Sequence, residues 1–168
     1  RPGGSPLLRP DDDRHAFLEA YRNFRSSLLF LSAEEMKPRL LLVTSSIPND
    51  GKSMTAANLA ITMAGTGSRV LLVDADLRKG ILHQRFGVPG HAGLSEALGD
   101  GQPWPQNVQP TQIPNLFLLP RGQSTSASGE LFLRPVTKQF LQEAVGQYDY
   151  VILDTPPVMA ADDVASLA

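Results

Sequence analysis

The stretch Arg39-Leu-Leu-Leu-Val-Thr44-Ser-Ser-Ile-Pro-Asn49-Asp50-Gly51-Lys52-Ser53-Met54-Thr55 decides the fold. Residues 39–44 form a short continuous apolar run, the pattern of a strand covered on both faces. From Gly51 to about Gly65 the pattern reads as a helix. Strand, loop and helix in that order are the setting in which a Gly-Lys-Ser binds phosphate, because loop amides and the helix N-terminus converge on phosphate oxygens. Gly51 lets the backbone approach closely. Lys52 places a point charge on β- and γ-phosphates, and Ser53 offers a hydroxyl to magnesium. The usual pattern has a further glycine five residues ahead of Gly51, where this chain has Ser46. Asn49 tolerates the left-handed region, so the turn still closes. Taken alone, the segment also fits a plain strand-to-helix turn with an incidental lysine.

Outward from this stretch, three more apolar runs read as strands: 69–74, 116–119 and 150–154. Helical patterns cover Asp13 to about Ala33, Gly93 to Leu98, and Glu130 to about Gly146 with an early interruption at Pro135. Residues 100–115, with four prolines, and 122–128 read as loops. Continuous apolar strands separated by helices predict an α/β domain of the P-loop NTPase type, a mostly parallel sheet with helices on both faces. Residues 1–12, rich in proline and glycine, read as a flexible linker, and 13–168 as the domain. The last residues, ADDVASLA, start a helical pattern with no closing signal, so a C-terminally truncated domain is expected.

The bulk composition narrows the function classes. A chain of 168 residues can bury a sizeable core, and 42% hydrophobic residues is ordinary for a globular protein. A net charge of −2 gives no global pull toward nucleic acid or acidic lipid. The absence of cysteine excludes disulfides and thiolate zinc sites. His15, His83 and His91 lack metal-ligand spacing and read as surface or loop residues. No apolar run approaches the roughly 20 residues of a membrane span, and no signal peptide is visible, which points to the cytoplasm.

Two strands end in acid. The second continues as Leu71-Leu-Val-Asp74-Ala-Asp76-Leu-Arg78 and the last as Val151-Ile-Leu-Asp154-Thr-Pro-Pro157. An open parallel sheet binds ligands at the carboxyl ends of its strands, the edge from which the phosphate loop also leaves. Asp74, Asp76 and Asp154 are therefore expected beside Lys52 and Ser53. Carboxylates there can hold magnesium or take the proton of an attacking hydroxyl. A single aspartate after a strand is otherwise a cap or turn residue. In the first helix Phe17, Tyr21, Phe24, Leu28 and Leu31 make an apolar stripe, with Glu19, Arg22 and Arg25 on another face, by residue type alone a solvated one.

These motifs resemble the bacterial tyrosine kinases (BY-kinases) that regulate capsule and exopolysaccharide assembly. That family has a modified Walker A loop, matched by SSIPNDGKS (45–53). Its second motif, apolar residues followed by Asp-x-Asp-x-Arg, is matched by LLVDADLR (71–78), and its Walker B strand by VILDTPP (151–157). Glu19, Arg22 and Arg25 fit its Glu-x-x-Arg-x-x-Arg motif, which implies docking onto a neighbouring subunit in a ring-shaped homo-oligomer. Asn49 and Asp50 replace Gly and Glu of the usual loop, a departure that leaves ATP binding expected.

The resemblance implies ATP and Mg2+, with the nucleotide on Asn49, Asp50, Gly51, Lys52, Ser53 and Met54. It implies metal ligation by Ser53, Asp76 and Asp154, and catalysis by Lys52, Asp74 and Asp76. Asp74 is the candidate base, with roles exchangeable with Asp76, and Arg78 orients a carboxylate or contacts a neighbour. The implied partners are a membrane-spanning polysaccharide co-polymerase segment, fused or separate, and a phosphotyrosine phosphatase, with no nucleic acid. The implied location is the inner face of the bacterial membrane. The family's phosphorylated tyrosine cluster is not in this chain. Tyr21, Tyr148 and Tyr150 fall at core or strand-edge positions. Two other readings share the fold. A ParA/MinD-type ATPase switch carries a signature lysine where this chain has Ile47. A nucleotide-binding ring scaffold would keep polymer export after Lys52→Met.

Overall fold

The computed structural model describes residues 7–9, 12–30 and 38–158. In chain order its elements are α1 (His15–Phe30), β1 (Leu40–Val43), α2 (Lys52–Ala64), β2 (Val70–Asp74), α3 (Leu82–Phe86) and α4 (Leu94–Gly99). A 3-10 turn (Trp104–Asn107), β3 (Gln109–Pro110), β4 (Leu116–Leu119), α5 (Ser128–Phe132), α6 (Pro135–Gln147) and β5 (Tyr150–Asp154) follow.

The sheet order is β1-β5-β2-β4-β3. The first four strands are parallel and β3 pairs antiparallel with β4. Alternation along β2 sends side chains into two cores. Val70 and Leu72 pack with Leu59, Ala60 and Met63 of α2, and with Phe17 and Tyr21 of α1. Leu71 and Val73 face Leu98, Trp104, Leu131, Phe132 and Phe140 on the opposite side. A sheet covered on both faces explains why its central strands lack polar alternation. The expected architecture is present.

Several expectations need correction. The proline-rich segment 100–115 contains the 3-10 turn and the short strand β3, not loop alone. Trp104 anchors it: its ring lies 5.3 Å edge-on from Phe140, and its indole N–H donates to Glu143 at 2.9 Å. Pro110 is tolerated because β3 is an edge strand among the described elements. Pro135 does more than interrupt a helix. It begins α6 as a separate element, at a first-turn position where a missing N–H costs nothing. Helix α3 had no clear periodic signal in its five residues.

Leu7 and Leu8, placed by composition in a flexible linker, lie in the first core. The Leu8 amide donates to Asn58 Oδ1 of α2 at 2.8 Å. Asp12 accepts from the backbone N–H and guanidinium of Arg14, and Arg14 also reaches the Leu7 carbonyl. Residues 1–6, 10 and 11 of that linker, and the expected terminal helix from 161, lie outside the described residues. No helix among the described residues is long and apolar enough to cross a membrane.

Helix α1 also rolls away from its expected orientation. Phe17, Leu18, Tyr21 and Leu28 face the core, whereas Phe24 is 42% exposed. Leu31 lies outside the described residues. The roll carries Arg25 inward, where its guanidinium donates to the Thr62 carbonyl near the end of α2 at 3.0 Å. Unpaired carbonyls at a helix C-terminus attract such a cation. Glu19 and Arg22 remain outside as an exposed ion pair at 2.6 Å. The three residues thus do not share one free face.

Candidate active site

The phosphate loop turns on two left-handed residues, Asn49 (φ 64°) and Gly51 (φ 81°). Asn49 has the conformation anticipated for it. Gly51 precedes the first residue of α2, so the helix begins at Lys52 with its amides facing outward from the sheet edge. Lys52 bends back into the site. Its ammonium lies 3.2 Å from Asp154 Oδ1, 3.6 Å from Asp76 Oδ2 and 3.1 Å from Ser53 Oγ.

Pairing of β2 with β5 sets Asp74 directly opposite Asp154. The two carboxylates are therefore adjacent by register, and Asp76 follows just beyond the strand end. Asp74 is fully buried. Its Oδ2 accepts from the Leu82 amide at 3.0 Å, and Gly80 packs so closely that a Cβ there would collide with the carboxylate. Asp76 Oδ1 accepts from the Lys79 amide at 3.0 Å. Burial first, and then the Asp154 charge, pushes Asp74 up to about 8, against the pull of the Leu82 hydrogen bond. Burial also raises Asp154, although Lys52 and Ser53 pull the other way.

Two carboxylates thus hold one ammonium, and a third lies beside Asp154 by strand register. Asp74 Oδ1 and Asp154 Oδ2 are buried without a hydrogen-bond partner. Orphaned carboxylate oxygens around an excess of negative charge suit a divalent cation or its water shell. Among the described residues no group of three or more histidine, aspartate or glutamate residues could hold a metal ion by itself. That fits magnesium, which keeps waters and takes phosphate oxygens rather than filling its shell from protein.

Above these residues opens a cleft of about 450 Å³. Asn49, Asp50, Gly51, Lys52, Ser53, Met54 and Asp76 line it, so all of the expected nucleotide-binding residues converge there. Asp74 and Asp154 lie beneath its surface. Arg78 also lines the cleft, but its Nε donates to Ser128 Oγ at 3.1 Å, and it pairs with no carboxylate among the described residues. Sequence reasoning missed Lys79, Ile81 and Arg85, which line the far side. Their only sequence signal is closeness to the Asp-x-Asp-x-Arg motif. Glu19, Arg22 and Arg25 belong to α1, away from this cleft. Tyr148 is buried, edge-on to Phe117 at 5.8 Å, with the Arg69 guanidinium 4.8 Å above its ring.

A family model described as an AAA domain matches residues 49–167. The fold and loop therefore define a nucleotide-binding AAA-type domain. EpsB of Ralstonia solanacearum is 39% identical over 159 residues, spanning 95% of this chain and 21% of that protein. CapB of Staphylococcus aureus is 31% identical over 159 residues, spanning 95% of this chain and 69% of CapB. Both names carry the words tyrosine-protein kinase. Among solved structures, the chimerical protein CapA2B2 superposes with a TM-score of 0.90 at 30% identity, over 97% of this chain and 71% of that one. The kinase domain of Escherichia coli ETK gives 0.86 at 33%, over 95% and 66%. The chain belongs to the bacterial tyrosine kinase family. It spans about a fifth of the length of EpsB. The septum-site protein MinD of Pyrococcus horikoshii, solved with Mg-ADP, is more distant: TM-score 0.58 at 25% identity, over 70% of this chain and 48% of that one.

Proposed function

We propose that this chain carries the catalytic centre of an ATP-dependent protein-tyrosine autokinase that phosphorylates a tyrosine tail of a neighbouring subunit. The observation that carries the reading is Lys52, held by Asp76 and Asp154 at the head of a left-handed phosphate loop. Lys52 neutralises phosphate charge, and the loop amides of 49–54 hold the nucleotide. Ser53, Asp76 and Asp154 would hold Mg2+, which would supply charge shielding of the phosphate oxygens against the incoming nucleophile. The tyrosine oxygen forms a bond to the γ-phosphorus while the bond to the bridging oxygen breaks and ADP leaves. The hydroxyl proton passes to an aspartate. Asp74, pushed up to about 8, accepts the proton only in its ionised form, whose share grows as pH rises toward 8. A second division of roles has one supporting observation: Asp76 lines the cleft, whereas Asp74 lies beneath Gly80 and Leu82.

Membership of the family supports a biological setting for this reading. The protein works at the inner face of the bacterial membrane with a polysaccharide co-polymerase segment, fused or separate, in a ring of like subunits. A phosphotyrosine phosphatase resets the cycle that controls exopolysaccharide polymerisation and export. The test is incubation of the protein, with its tyrosine tail, in Mg-ATP and detection of phosphotyrosine beside Lys52→Met. Signal that vanishes in the variant is expected. ADP release without phosphotyrosine overturns the kinase in favour of the ATPase switch, and normal polymer export by Lys52→Met favours the scaffold.

A further inference from the structure

The cleft has two unlike walls. Strand β5 lies between β1 and β2, so the phosphate loop after β1 and the segment after β2 face each other across Asp154, Pro156 and Pro157. The β1 wall carries the phosphate-binding amides. The opposite wall carries Arg78, Lys79, Ile81 and Arg85. Of the cations in the cleft, Lys52 is held by two carboxylates and Arg78 donates to Ser128. Lys79 and Arg85 are exposed, and neither side chain has an ion pair or hydrogen bond among the described residues. Between them Ile81 presents an apolar side chain that is 38% exposed. Two unpaired cations flanking an apolar surface match an aromatic ring with acidic neighbours, because charge complementarity selects among partners and speeds encounter.

We propose that Lys79 and Arg85, on the wall facing the phosphate loop, select acceptor tyrosines flanked by acidic residues, with Ile81 receiving the tyrosine ring. This rests on the kinase reading above. The acidic flank pairs with the two cations while the hydroxyl reaches toward the aspartates. Exposed ion pairs are individually weak, so the preference is modest, and salt screens it.

The experiment compares three synthetic tyrosine peptides, flanked by glutamate, by serine and by lysine, as acceptors for the protein, for Lys79→Ala/Arg85→Ala and for Lys79→Glu/Arg85→Glu. KM for peptide and for ATP is measured separately at low and high salt. The wild type should show a KM for the glutamate peptide roughly three- to tenfold below that for the lysine peptide at low salt. The alanine pair should lose that difference, the glutamate pair should reverse it, and KM for ATP should stay within about twofold. Equal KM values for the three peptides in the wild type overturn the proposal. So does a rise confined to KM for ATP, which would assign the two cations to the nucleotide. Failure of the kinase reading looks different: no phosphotyrosine forms on any peptide or on the protein itself while Mg-ATP still binds.

Discussion

Asp74 bears a proton-dependent cost that a single substitution exposes. The free carboxyl titrates near 3.8, and the buried one is pushed up to about 8. Between those values the folded chain holds a proton that the unfolded chain has lost. Its contribution to stability is therefore complete below the unfolded value and is lost as pH rises through the folded one. Asp74→Asn keeps an acceptor for the Leu82 amide and removes the titration. In urea titrations without nucleotide, the variant should gain on the wild type steadily from pH 5 to pH 8.5. Asp154, also raised by burial, titrates in both proteins, so the difference reports on Asp74. A pH-independent difference would mean the carboxyl is not desolvated. Phosphotyrosine formation by the same variant should fall, since an amide cannot take the hydroxyl proton.

At the scale of elements, the segment before α1 and the helix after the phosphate loop are joined. The Leu8 amide is buried on Asn58 of α2, two turns beyond Lys52. Asn58→Ala leaves that amide without its acceptor and should cost about 1–3 kcal/mol, the desolvation penalty of a buried donor. Denaturation should show the loss, and hydrogen exchange should quicken at residues 7–9 before the sheet amides respond. Unchanged exchange there would show that hydrophobic contact of Leu7 and Leu8 suffices to hold the segment. Arg25 makes the second join, from α1 to the Thr62 carbonyl. The helix that follows the phosphate loop is thus tied at its middle to the segment before α1 and near its end to α1 itself.

At the scale of the whole molecule, the ring proposed for the family needs a surface that is free in the isolated chain. Glu19 and Arg22 meet that need, and Arg25 is turned inward. Arg22→Glu should change folding stability by no more than about 0.5 kcal/mol, because an exposed pair contributes little. It should nonetheless abolish association in sedimentation, by setting like charges side by side on α1. Arg25→Ala should instead lower stability as well. Association that survives Arg22→Glu places the subunit contact elsewhere.

The sequence by itself determined the class of fold, the four parallel strands, the phosphate loop with its left-handed Asn49, and the gathering of three aspartates beside Lys52. Those features are local or follow from one topological rule. Apolar runs mark buried strands, and parallel strands put their carboxyl ends at one edge. Tertiary structure alone decided which face of α1 is covered, and so that Phe24 is exposed while Arg25 is engaged. A helical stripe gives a direction and not the partner that covers it. It also placed Leu7 and Leu8 in the core, since the Pro- and Gly-rich composition around them carries no record of Asn58. The β2–β5 register and the loop over Gly80 set Asp74 beneath the cleft and Asp76 within it, a distinction that two acids flanking one alanine cannot display. The same loop and α3 brought Lys79 and Arg85 to the wall opposite the phosphate loop, where neither charge has a partner among the described residues.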